Sequence, residues 1–134
     1  MTTDPQHVTY FSRLEAEECW ALIAEAEVGR IAWASTEGIS VVPVNFRVVE
    51  GAIVFHTTPE SFLAALAERT DVAFQVDEID PETATGWTVL VRGTSGPADG
   101  AISSRSWLEG GLALGLAITA STIAGRVVSG TIRS

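Results

Sequence analysis

The sequence predicts a mainly β fold: a small β-barrel of six to seven mostly antiparallel strands with two short peripheral helices. Three observations carry this. From Val28 onward most of the chain alternates apolar and polar residues with a period of two, as half-buried strands do. Turn signals at Thr36-Glu37-Gly38 and Glu50-Gly51 separate these runs. Only one helix stands in a crossover position, which excludes doubly wound folds, where strand and helix alternate throughout. Closing the sheet into a barrel disposes of the many strand edges that remain.

Taken in order, residues 1–10 read as a polar tail and 11–134 as a single domain. Ser12-Arg13-Leu14-Glu15 has the spacing of a capping box, opening a helix through about Ala26 that Gly29 ends. Cys19, Leu22, Ile23 and Ala26 share one face of it, which is a core-packing pattern. Ile31 and Trp33 alternate with Arg30, Ala32 and Ala34 in the first strand. Val42, Val44, Phe46 and Val48 line one face of the second, and Val41, Pro43, Asn45 and Arg47 the other. Pro43 has no ladder donor, so this strand belongs at an edge or a bulge. A tight hairpin at Glu50-Gly51 leads to a strand at Ile53–Thr57. Asp71–Glu78 and Gly86–Gly93 are further strands, separated by an acidic loop over Asp77–Thr85. Thr94–Gly100 is rich in turn formers, and Ala101–Leu108 has the pattern of one helical turn at most. Leu112, Leu114, Leu116 and Ile118 alternate with Ala113, Gly115 and Ala117, leaving a flat face suited to close approach by a second subunit. Ile123–Val128 is the last strand.

At 134 residues and a net charge of −9, with all eight basic residues arginine, the chain is a poor partner for nucleic acid or anionic membranes, which demand a basic face. No apolar run approaches the roughly 18 residues of a membrane helix. No secretory signal pattern opens the chain, so the cytoplasm is the expected location. Cys19 is the one cysteine, which rules out an internal disulfide. Among apolar neighbours it reads as a buried structural thiol. His7 and His56 lack the paired spacing of a zinc site, so no metal is expected.

One stretch organises the rest. Ile53-Val54-Phe55-His56-Thr57 is an extended run that breaks at Thr58-Pro59 and restarts as a helix to about Arg69. Thr58 suits the N-cap and Pro59 the first helical position. Such a junction offers free N–H donors and a positive dipole end to an anion such as phosphate. It also has the plain reading of an ordinary strand-to-helix connection.

The order of landmarks resembles the pyridoxamine 5′-phosphate oxidase-like, FMN-binding split-barrel family, particularly its small actinobacterial members. The matching pieces are Glu18-Cys19-Trp20, Val28-Gly29-Arg30-Ile31, Pro43-Val44-Asn45-Phe46 and Ile53-Val54-Phe55-His56-Thr57. They continue with Val76-Asp77-Glu78-Ile79-Asp80, Thr85-Gly86-Trp87-Thr88-Val89 and Gly125-Arg126-Val127. The resemblance implies a homodimer binding FMN or the deazaflavin F420 in interface clefts, and an oxidoreductase moving hydride between flavin and a small organic substrate. Asn45 and Phe46 would line the flavin ring. His56, Thr57, Thr58, Ser61 and the position of Phe62 would serve the phosphate, and Trp87 and Thr88 would wall the cleft from nearby or from the partner. Hydride chemistry belongs to the cofactor, which agrees with the lack of a Ser-His-Asp or paired-carboxylate set.

Two positions depart from the family. A basic residue is usual where His56 stands and a Lys where Phe62 stands, and Glu60 adds a carboxylate in the same turn. A charge-assisted contact is worth about 1.5–3 kcal/mol, or roughly 10–150-fold in affinity. Arg30, Arg47, Arg92 or Arg126 could substitute. The alternative is a cofactor-free dimeric binding or scaffold module of the same fold. Haem, with His56 as the candidate axial ligand, ranks behind both.

Overall fold

A computed structural model describes residues 9–98 and 114–130. Eight strands, one α-helix and one 3-10 helix make up this part: β1 (Thr9–Leu14), α1 (Ala16–Ala24), β2 (Val28–Ser35), β3 (Gly38–Asn45), β4 (Arg47–Val49), β5 (Ala52–Thr57), the 3-10 helix (Phe62–Ala67), β6 (Thr70–Asp80), β7 (Thr85–Pro97) and β8 (Leu114–Gly130). All pairings are antiparallel, in the order β3-β2-β6-β7-β8-β5-β4, with β1 also on β8. The 17 residues of β8 serve both β5, through Leu114–Thr119, and β1, through Gly125–Gly130.

The two ends of this sheet, β3 and β4, are consecutive in the chain with Phe46 alone between them. The sheet therefore curls until its ends meet at one residue, and they meet through the covalent chain and not through a ladder. Phe46 is 4% exposed, and its N–H donates to the carbonyl of Glu27 at 3.0 Å. Its ring stands edge-on to Phe74, with centroids 5.0 Å apart and planes at 78°. Phe74 is fully buried, as are Ile31, Ile53, Phe55, Leu66, Val91, Leu116 and Ile118 around it. A Cβ placed on Gly29 would overlap the Phe74 ring, so glycine lets that ring lie against β2. Helix α1 packs against β8 and β4, with Cys19 and Ile23 at 0% exposure.

The alternation over residues 41–48 stands: Val44 and Phe46 are buried, and Val41, Pro43, Asn45 and Arg47 are exposed. Pro43 lies on the edge strand β3, where its missing N–H costs no ladder bond. The Glu50-Gly51 hairpin is present, with φ of 49° and 78° at its two central residues, the positive pair that a right-twisted ribbon favours.

Other expectations need correction. The helix does not start at Ser12, because Ser12 pairs with Val127 in β1, and that distant partner outweighs the local capping pattern. The N-cap is Glu15, whose N–H donates to Glu18 Oε1 at 2.9 Å. Strand β1 begins at Thr9, inside the stretch read as a tail. Gly29 is the second residue of β2, beyond the 25–27 connection, and does not end the helix. The acidic loop shrinks to residues 81–84, because Asp77–Asp80 pair with Thr85–Thr88 in a long hairpin. Thr94–Pro97 is strand and not turn, carried past a bulge at Arg92/Gly93. The strands expected at Leu112–Ile118 and Ile123–Val128 are one strand where described. Residues 1–8, the 101–108 turn with Trp107, Gly110-Gly111, Leu112 and Ala113 lie outside the described residues.

The second helix is also corrected. Ser61 N–H bonds to Thr58 O at 3.0 Å, closing a β-turn with Pro59 at its second position, where proline's fixed φ is favoured. The helix starts only at Phe62, with Ser61 as N-cap accepting from Leu63 N–H at 2.9 Å, and it is 3-10 throughout.

Candidate functional site

Where the sheet's two ends meet, a cleft of about 850 Å³ opens. Its strand wall is Pro43, Asn45, Phe46 and Arg47; Glu25 and Glu27 line it from the connection after α1, with His56 of β5 on another side. The bend at Phe46 buries that ring in the core and leaves Asn45 and Arg47 facing outward on either side of it. Gly115 is directly opposite His56 across the β5–β8 ladder, so the imidazole meets no side chain at that register position. Gly115, part of the flat face expected to meet a second subunit, is buried within this chain.

His56 has its pKa lowered from the ordinary 6.5, first by burial and then by the nearby Arg47 charge. At neutral pH the imidazole is uncharged and Arg47 is the cation of the cleft. A histidine with a folded pKa below its unfolded value supports stability above pH 6.5, and that contribution is lost as pH falls and the unfolded chain takes up the proton first. Between about pH 7 and pH 5 the unfolding free energy should therefore drop more steeply in the native sequence than in His56→Gln. Denaturant titrations at the two pH values check this, and parallel slopes would contradict it.

The predicted site residues are only partly brought together. Asn45, Phe46 and His56 share the cleft. Thr57, 8% exposed, donates from Oγ1 to Ser61 Oγ at 2.5 Å, so these hydroxyls are engaged with one another, and Thr58 is exposed on the adjoining turn. The expected anion-binding helix start is a six-residue 3-10 helix answered by its own Ser61. Phe62 is 45% exposed, with its ring tilted against Trp33 at 5.2 Å. Trp87 and Thr88 lie on β7, away from the cleft lining; Trp87 pairs with Glu78 and Thr88 with Asp77. Glu25, Glu27 and Leu63 were not singled out in the sequence, and Arg47 appeared only among possible substitutes. Its alternation with Asn45 was the signal for Arg47. Nothing local marked the two glutamates, which the α1–β2 connection brings in.

Cys19 is fully buried, and burial followed by Glu18 and Glu15 raises its pKa, so it is a protonated structural thiol. Among the described residues no three His, Cys, Asp or Glu side chains converge as a metal site, and no helix is long and apolar enough to cross a membrane.

A curled antiparallel half-barrel, with its cleft where the ends of the sheet meet, defines a split-barrel protein. The chain belongs to the pyridoxamine 5′-phosphate oxidase family, whose profile matches residues 15–113. It is 30% identical over 94 residues to the protein Rv0080 of Mycobacterium tuberculosis, covering 66% of this chain but only 62% of that protein's length. Among solved structures it is similar to the FAD-binding protein of Mycobacterium smegmatis, at TM-score 0.72 and 28% identity over 88% of this chain and 98% of that one. An FAD-binding protein of Mesorhizobium loti shares the fold at TM-score 0.71 and 20% identity, covering 91% of this chain and 99% of that one.

Proposed function

We propose that the chain binds a flavin in the cleft beside Phe46 and works as a flavin-dependent oxidoreductase on a small organic substrate. The observation that carries this is the strand Pro43–Arg47, which presents Asn45 and one lasting cation, Arg47, to a cleft of the size that holds such ligands. The residues fit the group. Asn45 offers an amide donor and acceptor to ring heteroatoms. Arg47 holds an anionic group, and the carboxylates of Glu25 and Glu27, which line the same cleft, oppose it. His56 stays neutral and can donate or accept one hydrogen bond. Thr57, Thr58, Ser61 and Phe62 form the neighbouring turn, where a phosphate would find hydroxyls. A bound flavin supplies the hydride acceptor, and the protein supplies position and charge. The FAD-binding relative from M. smegmatis adds FAD to FMN and F420 as candidates.

The functional unit is proposed to be a homodimer in the cytoplasm. Val28, Ile39 and Val41 are 54%, 77% and 58% exposed on the outer face of β2 and β3, an apolar patch that continues into the cleft wall at Pro43 and Asn45. Trp87 and Thr88 would then reach a flavin only from the second copy.

The second reading, a cofactor-free binding or scaffold module, is favoured by the short self-capped 3-10 helix, with Glu60 before it and apolar Phe62 at its start. Titration of purified protein with FMN, FAD and F420, followed by flavin fluorescence, separates the two. Saturable binding of one of them is expected, and binding of none leaves the scaffold reading. Sedimentation as a monomer at micromolar concentration would remove the shared cleft.

A further inference from the structure

One wall of the cleft is negative for three separate reasons. Ala24, Glu25, Ala26 and Glu27 line it, so the C-terminal end of α1 opens onto the cavity. A helix C-terminus carries the negative end of the backbone dipole and is best complemented by a cation. Helix α1 has no basic residue in its last turn, and its C-cap is Glu25. Glu27 adds a second carboxylate just beyond it. The backbone there is pinned beside the bend in the sheet, because Glu27 O accepts from Phe46 N–H at 3.0 Å and Val28 pairs with Asn45.

The fold does not answer this charge. Among the described residues neither Glu25 nor Glu27 makes an ion pair, and both side chains are exposed. The carbonyls of Leu22 and Ile23 are taken by the N–H groups of Glu25 and Ala26, at 3.3 and 3.1 Å. Those of Ala24, Glu25 and Ala26 accept no backbone hydrogen bond from the described residues. A helix ending in open carbonyls and two carboxylates breaks a local rule with no gain in stability, and such breaks belong to functional sites. The sign is wrong for the anionic part of a flavin. A flavin enzyme must also seat its substrate against the cofactor, in the same cleft.

We propose that the substrate sharing this cleft is an organic cation, held with its positive charge against Glu25, Glu27 and the open carbonyls at the end of α1. Its role as substrate rests on the flavin reading, and its charge on the negative wall alone. Ala24, Ala26, Pro43 and Leu63 give its hydrocarbon part an apolar seat in the same cavity. Glu25 and Glu27 are then specificity-determining residues, which turn away carboxylate and phosphorylated substrates.

Calorimetric titration of the full chain at low ionic strength, without added flavin, with benzyltrimethylammonium and with benzoate tests this preference. The two probes share an aromatic ring and differ in the sign of their charge. The cation should bind more tightly than the anion, and added salt should narrow the gap. Because both carboxylates are exposed, Glu25→Gln and Glu27→Gln should each weaken the cation about 2–5-fold. The double variant should lose the preference. Glu37→Gln, which removes the same charge from the β2–β3 turn, should change neither affinity. Glu25→Gln should also melt no lower than the native chain, since a carboxylate at a helix C-terminus does not support the helix. Four results would overturn the assignment: no binding of the cation, tighter binding of benzoate by the native chain, an unchanged preference in the double variant, or a lower melting temperature in Glu25→Gln. Riboflavin titrated separately reports on the flavin reading. Riboflavin bound with no cation preference removes this inference alone, whereas a cation preference without riboflavin binding upholds the charge of the ligand and removes the flavin.

Discussion

Phe74→Ala is expected to destabilise the fold by about 3–5 kcal/mol, the range for deleting a fully buried aromatic ring. The cost should fall in the upper half of that range. Phe74 has no solvent exposure and contacts both Phe46, edge to face, and the side-chain-free surface of Gly29. A void there would be bordered by the β2 backbone at Gly29 and by the Phe46 ring. For a chain of this size the melting temperature should drop by roughly 10–20 °C. Thermal and denaturant unfolding measure it, and a loss below about 1 kcal/mol would mean that Phe74 is not the centre of the core. Phe74→Leu, which keeps most of the volume, should cost less than half as much.

Arg47→Gln is expected to raise the dissociation constant for FMN about 10–150-fold and to leave riboflavin binding nearly unchanged. Burial and Arg47 itself keep His56 neutral, Phe62 is a hydrocarbon, and Glu25 and Glu27 contribute the wrong sign, so Arg47 is the cleft's remaining attraction for an anion. Phe62→Lys should act in the opposite direction and tighten FMN. Equal weakening of both flavins would make Arg47 a structural residue. No change in either would move the phosphate away from this cleft.

The strands were legible in the sequence because their alternation is strict: Val42, Val44, Phe46 and Val48 against Val41, Pro43, Asn45 and Arg47 could be read without knowing a partner. Pro43 announced an edge for the same local reason. The helix boundaries were not legible. Ser12 carries a good capping signature, but β1 is decided by Val127, more than a hundred residues away. Thr58-Pro59 satisfies the rules for a helix start and equally those for a β-turn, and Ser61 settled the choice three residues later. In the cleft, Asn45, Phe46 and His56 are named through the resemblance of their strands to the split-barrel family. Glu25 and Glu27 could not be, because they reach it through the β2–β3 register, in which Val28 pairs with Asn45 and Glu27 O accepts from Phe46 N–H.

The join at Phe46 has one more effect. Every other circumferential contact between neighbouring strands is a row of hydrogen bonds, so widening the barrel elsewhere means breaking several at once. At this residue the circumference is spanned by peptide links, and it lengthens by rotating φ and ψ at one position, at the expense of the ring contact with Phe74 and the bond to Glu27. A bulky guest can therefore be admitted on that side with all the ladders intact, and the girth of the molecule is adjustable beside the cleft that Asn45 and Arg47 line.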